Sequence, residues 1–526
     1  MILYTERSAD TLYYHCGLVP DSDHYRGIIG ANLKVETSED GKVWSEAGKI
    51  EDVSVLQWVS HTLLTPGNYI KLTALDDSVV ISEVGLKSQY FDGLTSFTVE
   101  GTDVLNDEQD MVPRYISYEN SGYFDEVYHP RTAYEHILQL EPYENSHPPL
   151  GKYIISLGIM MFGLNPFGWR FMGTLFGVLM LPVFYHFTKK LFGRTWLSAF
   201  GTILFALDFM HFTQTRLATI DTYAVFFILL MYDAMLCFMQ KDLLNTKIKA
   251  CLMPLALSGI FFGVGAASKW TVIYGGAGLA VLFFAKLVIT IRSVWNDRLE
   301  RVKAWKRSFQ LCLWCLLLFV AIPFGIYFVS YLPMTMLPHN RDNIWGNFWN
   351  YQVNMFNYHA YLDATHSFAT PWYEWPIMKR PMWYSSKELA NGMLSTIVCM
   401  GNPAIWWVGL LVLLFVLLIW IRKRNFAAGV ILCGWASVYV PWMLVSRCTF
   451  IYHYFTAVPF VILCLVWLAN WLVYEKNLDA KRVFIGCCVF VFICLGLFIW
   501  FFPAISGFAT TFDYVQNLRW FSTWSF

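Results

Sequence analysis

The sequence predicts an α-helical polytopic membrane protein with a small β-sandwich-like domain at its N-terminus. Three observations lead there. Of 526 residues, 56% are hydrophobic and only 14% charged, against about 25% charged in an ordinary soluble domain. From about residue 166 onward, long apolar runs alternate with short polar breaks, and roughly 20 apolar residues are what a helix needs to cross the hydrocarbon core of a bilayer. The charge is also segregated: residues 1–150 hold 25 acids and 9 bases and residues 151–526 hold 13 acids and 29 bases, so the net zero is the sum of −16 and +16. That balance excludes the basic excess of a nucleic-acid-binding protein.

Residues 1–95 read as β. Ala31 to Thr37 alternates, Asp40-Gly41 supplies a hairpin turn, and Asn68 to Ala74 and Ser78 to Ser82 are further strands. The phrasing Ser38-Glu39-Asp40-Gly41-Lys42-Val43-Trp44, with Tyr69 to Thr73 and Ile81 to Leu86, resembles discoidin-type jelly rolls over fewer than 100 residues. Residues 96–166 follow as a loop with an acidic motif, closed by an apolar segment at 151–163 that is too short to cross. Pro148-Pro149 suits the first turn of a helix there, and its place is on the outer membrane surface.

Ten spans come next, at about 167–188, 196–212, 219–239, 251–268, 270–290, 309–332, 404–421, 427–446, 452–473 and 483–502. Lys and Arg near membrane ends stay cytoplasmic. The breaks at 189–194, 241–249, 292–307, 422–424 and 476–482 carry 18 of them, and the short alternate breaks carry three, Arg216, Lys269 and Arg447. The first set therefore faces the cytoplasm. Residues 1–166, the loop 333–403 and the tail are extracytoplasmic. An exported N-terminus without a signal peptide leads us to expect an upstream transmembrane helix. Nine of twelve cysteines lie in or beside apolar segments, so no disulfide framework is expected, and Cys312-x-x-Cys315 reads as buried packing.

Charge in or near hydrocarbon is costly and is kept mainly for function. Here it gathers at the outer face: Asp125-Glu126, His147, Lys152 and Arg170, then Asp208, His211, Arg216 and Asp221, then Lys269, and finally Arg447, Tyr452 and His453. A carboxylate can deprotonate a hydroxyl, and nearby cations can hold a phosphate leaving group. Together they suggest transfer from a lipid phosphate. Asp221 has a competing role as cap of the third span. The long outer loop alternates aromatics with His359, His366, Trp372 and Glu374, as a sugar- or peptide-binding surface would. No ligand-like spacing points to a metal site.

Phe124-Asp125-Glu126-Val127-Tyr128-His129, Ser146-His147-Pro148-Pro149-Leu150-Gly151-Lys152, Gly168-Trp169-Arg170-Phe171, Ala267-Ser268-Lys269-Trp270, His366-Ser367-Phe368, Pro371-Trp372-Tyr373-Glu374-Trp375-Pro376, Gly401-Asn402-Pro403 and Arg447-Cys448-Thr449-Phe450-Ile451-Tyr452-His453-Tyr454 stand in the family order of the protein O-mannosyltransferases. From about residue 120 to the end the chain resembles that family in its prokaryotic type, since the loop 333–403 is too short for a MIR domain. The resemblance implies the GT-C glycosyltransferase fold for residues 167–526 and eleven spans. It implies transfer of mannose from a polyprenyl-phosphate-mannose donor to Ser or Thr hydroxyls of exported proteins, with inversion. Asp125 would be the general base, with Glu126 positioning acceptor or sugar. Arg170 and Arg447 would face the donor phosphate, with Lys269 and His147 as further candidates. Asp221, His366, Trp372, Glu374, Tyr452 and His453 are substrate candidates. No cofactor is implied, and a divalent metal stays open. The β-rich segment before Asp125 is not a general feature of the family, and such an insert would recognise glycan or acceptor.

Two other readings compete. A GT-C enzyme could move another sugar from a polyprenyl phosphate to a cell-envelope glycan or lipid. A transporter would show repeated halves and broken helices near the midplane, and this sequence shows neither.

Overall fold

The computed structural model describes residues 1–21, 23–29, 32–51, 55–76, 79–88, 93–101, 104–389 and 392–526. Its contacts divide the chain into one unit of Met1–Glu144, Ser156–Trp169 and Lys387–Met393, and a second of Asn145–Ile155, Arg170–Ser386 and Leu394–Phe526.

The first unit opens with β1 (Ile2–Cys16), the hairpin β2 (Leu18–Asp21) and β3 (Arg26–Ile29), then β4 (Leu33–Ser38), β5 (Ser45–Ile50), β6 (Trp58–Ala74), β7 (Ile81–Lys87) and β8 (Phe97–Val99). In β4, Leu33, Val35 and Thr37 are buried while Lys34 and Glu36 are half-buried, the period-two pattern of a strand with one face on a core. Glu36 lies opposite Lys71 of β6 and pairs with Lys34 at 2.9 Å and Lys71 at 3.7 Å. At the β4–β5 turn Gly41 takes φ +72°, and Asp40 Oδ1 accepts from the Lys42 and Val43 amides at 2.8 and 3.0 Å.

The β-rich domain expected here is built on a six-stranded antiparallel sheet, ordered β5-β4-β6-β1-β7 with β8 also on β1, and β2 with β3 forms a separate two-stranded sheet. The two longest strands explain it. The β1–β6 register breaks between Tyr4 and Thr11, so the first part of β1 pairs with β8 and the last part with β7. Such irregularities bend a sheet, which lets a single sheet cover the core of Leu12, Tyr14, Val35, Ile70, Leu72, Val84 and Leu86. The strand expected at 78–82 lies partly outside the described residues, and β7 begins at Ile81. Its register, Tyr14↔Val84 and Leu12↔Leu86, puts Val84 and Leu86 into that core, with Ile81 packed at its edge. Helix α1 (His129–Ile137) closes this stretch.

Next, α2 (Leu150–Phe162) has 13 residues, too few to cross. Among the described residues eight helices are long and apolar enough to span, or nine with one bent pair. They are α3 (Pro166–Phe192), the pair α4 (Thr195–Ala206) and α5 (Phe209–Thr215), α6 (Asp221–Met239), α7 (Ile248–Ser268), α8 (Thr271–Ser293), the continuous α9 (Arg298–Leu316) and α10 (Ile322–Thr335), α12 (Pro403–Lys423), α13 (Phe426–Tyr439, continuing to Leu444) and α15 (Ala480–Ser506). Between α10 and α12 the chain forms α11 (Ile344–Tyr361), β9 (Met382–Glu388) and β10 (Met393–Cys399). α14 (Val458–Tyr474) is apolar but short.

Three spans depart from expectation. The run at 196–212 bends by 61° between α4 and α5. Asp208 causes this: fully buried, its Oδ1 caps α5 through the Met210 and His211 amides at 3.1 and 3.2 Å, and its Oδ2 accepts from Trp406 Nε1 at 2.8 Å and the Asn402 amide at 3.3 Å. A buried carboxylate persists only when so many donors meet it. The run at 309–332 is the later part of a 38-residue helix, with a π-turn at Leu317–Ala321 just before Pro323, where proline cannot donate the regular bond. The run at 452–473 starts late, because Ile451–Thr456 is a 3-10 turn. Of the spans, α6 is the most buried, at 78% of its apolar window, and α15 the least, at 6%, as expected for a helix at the centre of the bundle and one facing lipid.

Candidate active site

In the first unit Asp125 and Glu126 lie on a 3-10 turn, Phe124–Val127. The turn is forced by Phe124, whose φ of +52° is a conformation that costs a bulky residue about 1–2 kcal/mol. Glu126 is fully buried, and its Oε2 accepts the Tyr123 amide at 3.2 Å. Asp125 is half-buried, and its carbonyl accepts the Tyr128 amide. The two acids therefore differ: Glu126 fixes the turn from within, and Asp125 has the more open carboxylate. Behind them Glu135 of α1 accepts from Arg131 Nε at 2.9 Å and the Tyr143 amide at 2.6 Å, and the Arg131 guanidinium lies 3.6 Å over the Tyr143 ring. Burial raises the Glu135 pKa in spite of the arginine.

In the second unit a cavity of about 430 Å³ is lined by His147, Lys269, Trp270, Tyr274, His359, Trp442, Arg447 and His453, among others. Each has a structural reason to be there. Lys269 ends α7 in extended conformation, φ −159°, which separates α7 from α8. Its Nζ lies 2.7 Å from Asp221 Oδ2, an oxygen that also accepts from Thr219 Oγ1 at 3.1 Å. Asp221 is the first residue of α6 and makes no capping bond, so ion pairing replaces the capping role considered from sequence. Both partners are more than nine-tenths buried.

Arg447 follows α13 and its 3-10 extension. It is half-buried, and among the described residues it makes no ion pair and only one hydrogen bond, a long one of 3.4 Å to the Cys448 carbonyl. His147 meets His359 edge to face at 5.1 Å, and His359 Nε2 donates to the Ser146 carbonyl at 2.7 Å, which fixes its tautomer. Trp270 Nε1 donates to Tyr327 Oη at 2.9 Å, and that hydroxyl donates to Gln352 of α11 at 2.6 Å. α11 thus carries His359 to the cavity. His453 packs between Trp442 at 4.4 Å and Trp375 at 5.8 Å.

Of the residues singled out from sequence, the structure brings His147, Lys269, Arg447 and His453 onto one cavity, with Asp221 directly behind Lys269. Arg170 is half-buried near the start of α3 and does not line it. Tyr452 stacks on His453 at 4.4 Å and supports the wall. The loop residues Trp372, Glu374 and His366 do not line this cavity, and they make contacts of their own. Trp372 and Glu374 form a 3-10 turn after Pro371, the Trp372 carbonyl accepts from Tyr439 Oη at 2.9 Å, and Glu374 pairs with Lys379. His366 is exposed, with Nδ1 accepting the Phe368 amide. That turn seats Trp375, fully buried, behind His453. Asp208 and His211 are also internal, with His211 Nε2 3.1 Å from the Gly177 carbonyl. The sequence reading missed Tyr274 and Trp442. Trp442 follows Pro441 at the end of a span, the one available signal.

An anion enclosed here would meet one unpaired guanidinium, one ammonium shared with a carboxylate and imidazole edges, beside aromatic faces suited to a sugar ring or isoprenoid. Residues 161–337 match the dolichyl-phosphate-mannose-protein mannosyltransferase family and residues 344–524 the C-terminal four TMM region of protein-O-mannosyltransferase. A polyprenol-phosphate-mannose--protein mannosyltransferase of Mycobacterium tuberculosis is 23% identical over 431 residues, covering 72% of this chain and 80% of its own. One from Corynebacterium glutamicum is 26% identical over 490 residues, 82% and 90% of the two chains. A solved structure of the S. cerevisiae protein O-mannosyltransferase Pmt1-Pmt2 complex bound to the sugar donor superposes with TM-score 0.65 at 14% identity, covering 78% of this chain and 90% of that one. The chain belongs to the protein O-mannosyltransferases, multi-pass membrane glycosyltransferases of the GT-C fold that move mannose from a polyprenyl-phosphate carrier to protein.

Proposed function

We propose that the cavity holds the phosphate of polyprenyl-phosphate-mannose and that Asp125 takes the proton from a Ser or Thr hydroxyl of an exported protein. The observation that carries the donor assignment is Arg447, a cation on the cavity wall without a carboxylate partner among the described residues. A guanidinium holds phosphate through paired N–H groups. Lys269 adds charge already half-balanced by Asp221, and His147 offers a further donor. As the acceptor oxygen bonds to the anomeric carbon, the bond from that carbon to the phosphate oxygen breaks, and the electron pair leaves on the polyprenyl phosphate. One displacement inverts the carbon and needs no nucleophile on the enzyme, and no cofactor takes part. Glu126, buried within its turn, sets the position of Asp125.

In this proposal the enzyme lies in the cell membrane with the cavity and the β-rich unit outside. The support is the segregation of 18 Lys and Arg to one set of breaks against three in the other. The test is a reconstituted transfer assay with a panel of polyprenyl-phosphate sugars, Ser/Thr peptides and lipid or glycan acceptors. Mannosylated peptide is the expected product. Transfer only to a glycan or lipid, or only of another sugar, overturns the reading.

A further inference from the structure

We propose that the carboxylates of Glu83, Asp107 and Glu108 form a calcium-binding site in the β-rich unit. One carboxylate oxygen from each of the three lies within 4.8 Å of the others. A cluster of exposed acids would mean little, but Glu83 is not exposed. It is 3% accessible on β7, and its Oε2 is buried with no hydrogen-bond partner. Its Oε1 accepts from Gln109 Nε2 at 2.6 Å, and the Glu108 backbone amide also donates toward the carboxylate. Leaving a buried polar oxygen unmet costs about 1–3 kcal/mol, and among the described residues no lysine or arginine pairs with any of the three acids.

The segment that brings Asp107 and Glu108 to Glu83 is fixed. The Val84 amide donates to the Leu105 carbonyl at 3.0 Å, Asn106 Nδ2 to the Phe97 carbonyl at 2.9 Å, and Gln109 Nε2 also to the Val84 carbonyl at 2.6 Å. Backbone and side-chain bonds thus hold like charges together on both sides of the trio. A cation between them supplies the missing partner. Calcium fits its chemistry: the donors are all oxygen, which suits a hard ion over zinc or copper. Ca–O distances of about 2.3–2.6 Å let ligands on opposite sides of one ion stand about 4.6–5.2 Å apart, whereas magnesium needs a tighter octahedron. Asp107 and Glu108 are exposed, so water can complete six to eight ligands. A site with so few protein ligands belongs in the weak range of extracellular modules, a Kd of about 10⁻⁴–10⁻³ M.

The experiment uses the full chain, purified in detergent, stripped of metal and titrated with CaCl2 by calorimetry. Wild type should bind calcium in that range. Asp107→Asn with Glu108→Gln, both exposed and without a packing role, should lose at least tenfold in affinity while keeping the wild-type circular dichroism spectrum, and Glu83→Gln should behave alike. No binding by wild type at 10 mM calcium (about ten times the weakest Kd expected), or unchanged affinity in the folded double variant, overturns the site.

Discussion

Among the described residues, carboxylates of the β-rich unit gather where no lysine or arginine meets them, and in the helical unit a guanidinium stands on a cavity wall where no carboxylate meets it. Glu83, Asp107 and Glu108 make up the first group and Arg447 the second. Other buried charges in the two units are met: Arg131 by Glu135, Lys269 by Asp221, and Asp208 by four hydrogen-bond donors. Charge left open by a fold that otherwise closes its pairs marks where a ligand supplies the partner. The opposite signs then point to opposite ligands, a metal cation in one unit and a phosphate in the other.

The largest effect should come from the acidic motif, because in the proposed reaction it alone moves a proton. Asp125→Asn keeps the shape of a half-buried side chain and removes the base. It should lower transfer by up to about 10⁴-fold while leaving donor binding and folding unchanged, measured as turnover against polyprenyl-phosphate-mannose binding. Near-normal turnover would mean that the motif is structural like Glu126, and the base would have to be sought elsewhere.

Lys269 and Arg447 sharpen the contrast between closed and open charge. Lys269→Met leaves Asp221 buried without its cation and should cost about 3–5 kcal/mol, seen as a lower unfolding midpoint and poor recovery from membranes. Arg447→Ala removes no partner's partner. Its unfolding midpoint should stay near wild type while transfer falls roughly 10²-fold, with Arg447→Lys recovering part of it. If Arg447→Ala unfolds the protein and Lys269→Met only slows it, the roles are reversed and the cavity binds its anion through the lysine.

Hydropathy made the helical unit legible where each run carries its own boundary. Ser268-Lys269-Trp270 was enough to divide two spans, and the structure divides them there. The break at Leu207-Asp208 was not legible, because its cause lies far along the chain: Oδ2 of Asp208 is met by Asn402 and Trp406, 194 and 198 residues away. The same distance effect hid one role of the outer loop: the turn that carries Trp372 and Glu374 also seats Trp375 behind His453. In the β-rich unit, Val79-Val80-Ile81 suits a strand in either register, and pairing with β1 decided it. Asp107-Glu108 reads as an ordinary solvated turn until Glu83, 24 positions earlier on β7, is brought beside it.

The smallest effect concerns protons and the β-rich unit alone. His15 on β1 lies 5.2 Å from the Trp58 ring, and burial pushes its pKa down from 6.5 to about 4. The fold therefore favours the neutral ring. Its contribution to stability is fully present above pH 6.5 and is lost as pH falls from there toward 4, because the unfolded chain takes up the proton first. A displacement from 6.5 to about 4 would correspond to about 3 kcal/mol, and the partial exposure of the ring reduces that to about 2 kcal/mol. Two unfolding transitions followed in chelator between pH 7 and pH 4 would separate the units: the β-rich one should shift down in wild type and shift less in His15→Phe, which keeps the contact with Trp58 and removes the titrating group. Equal shifts in both proteins would show that the carboxylates of this acidic unit, and not its buried histidine, set its response to acid.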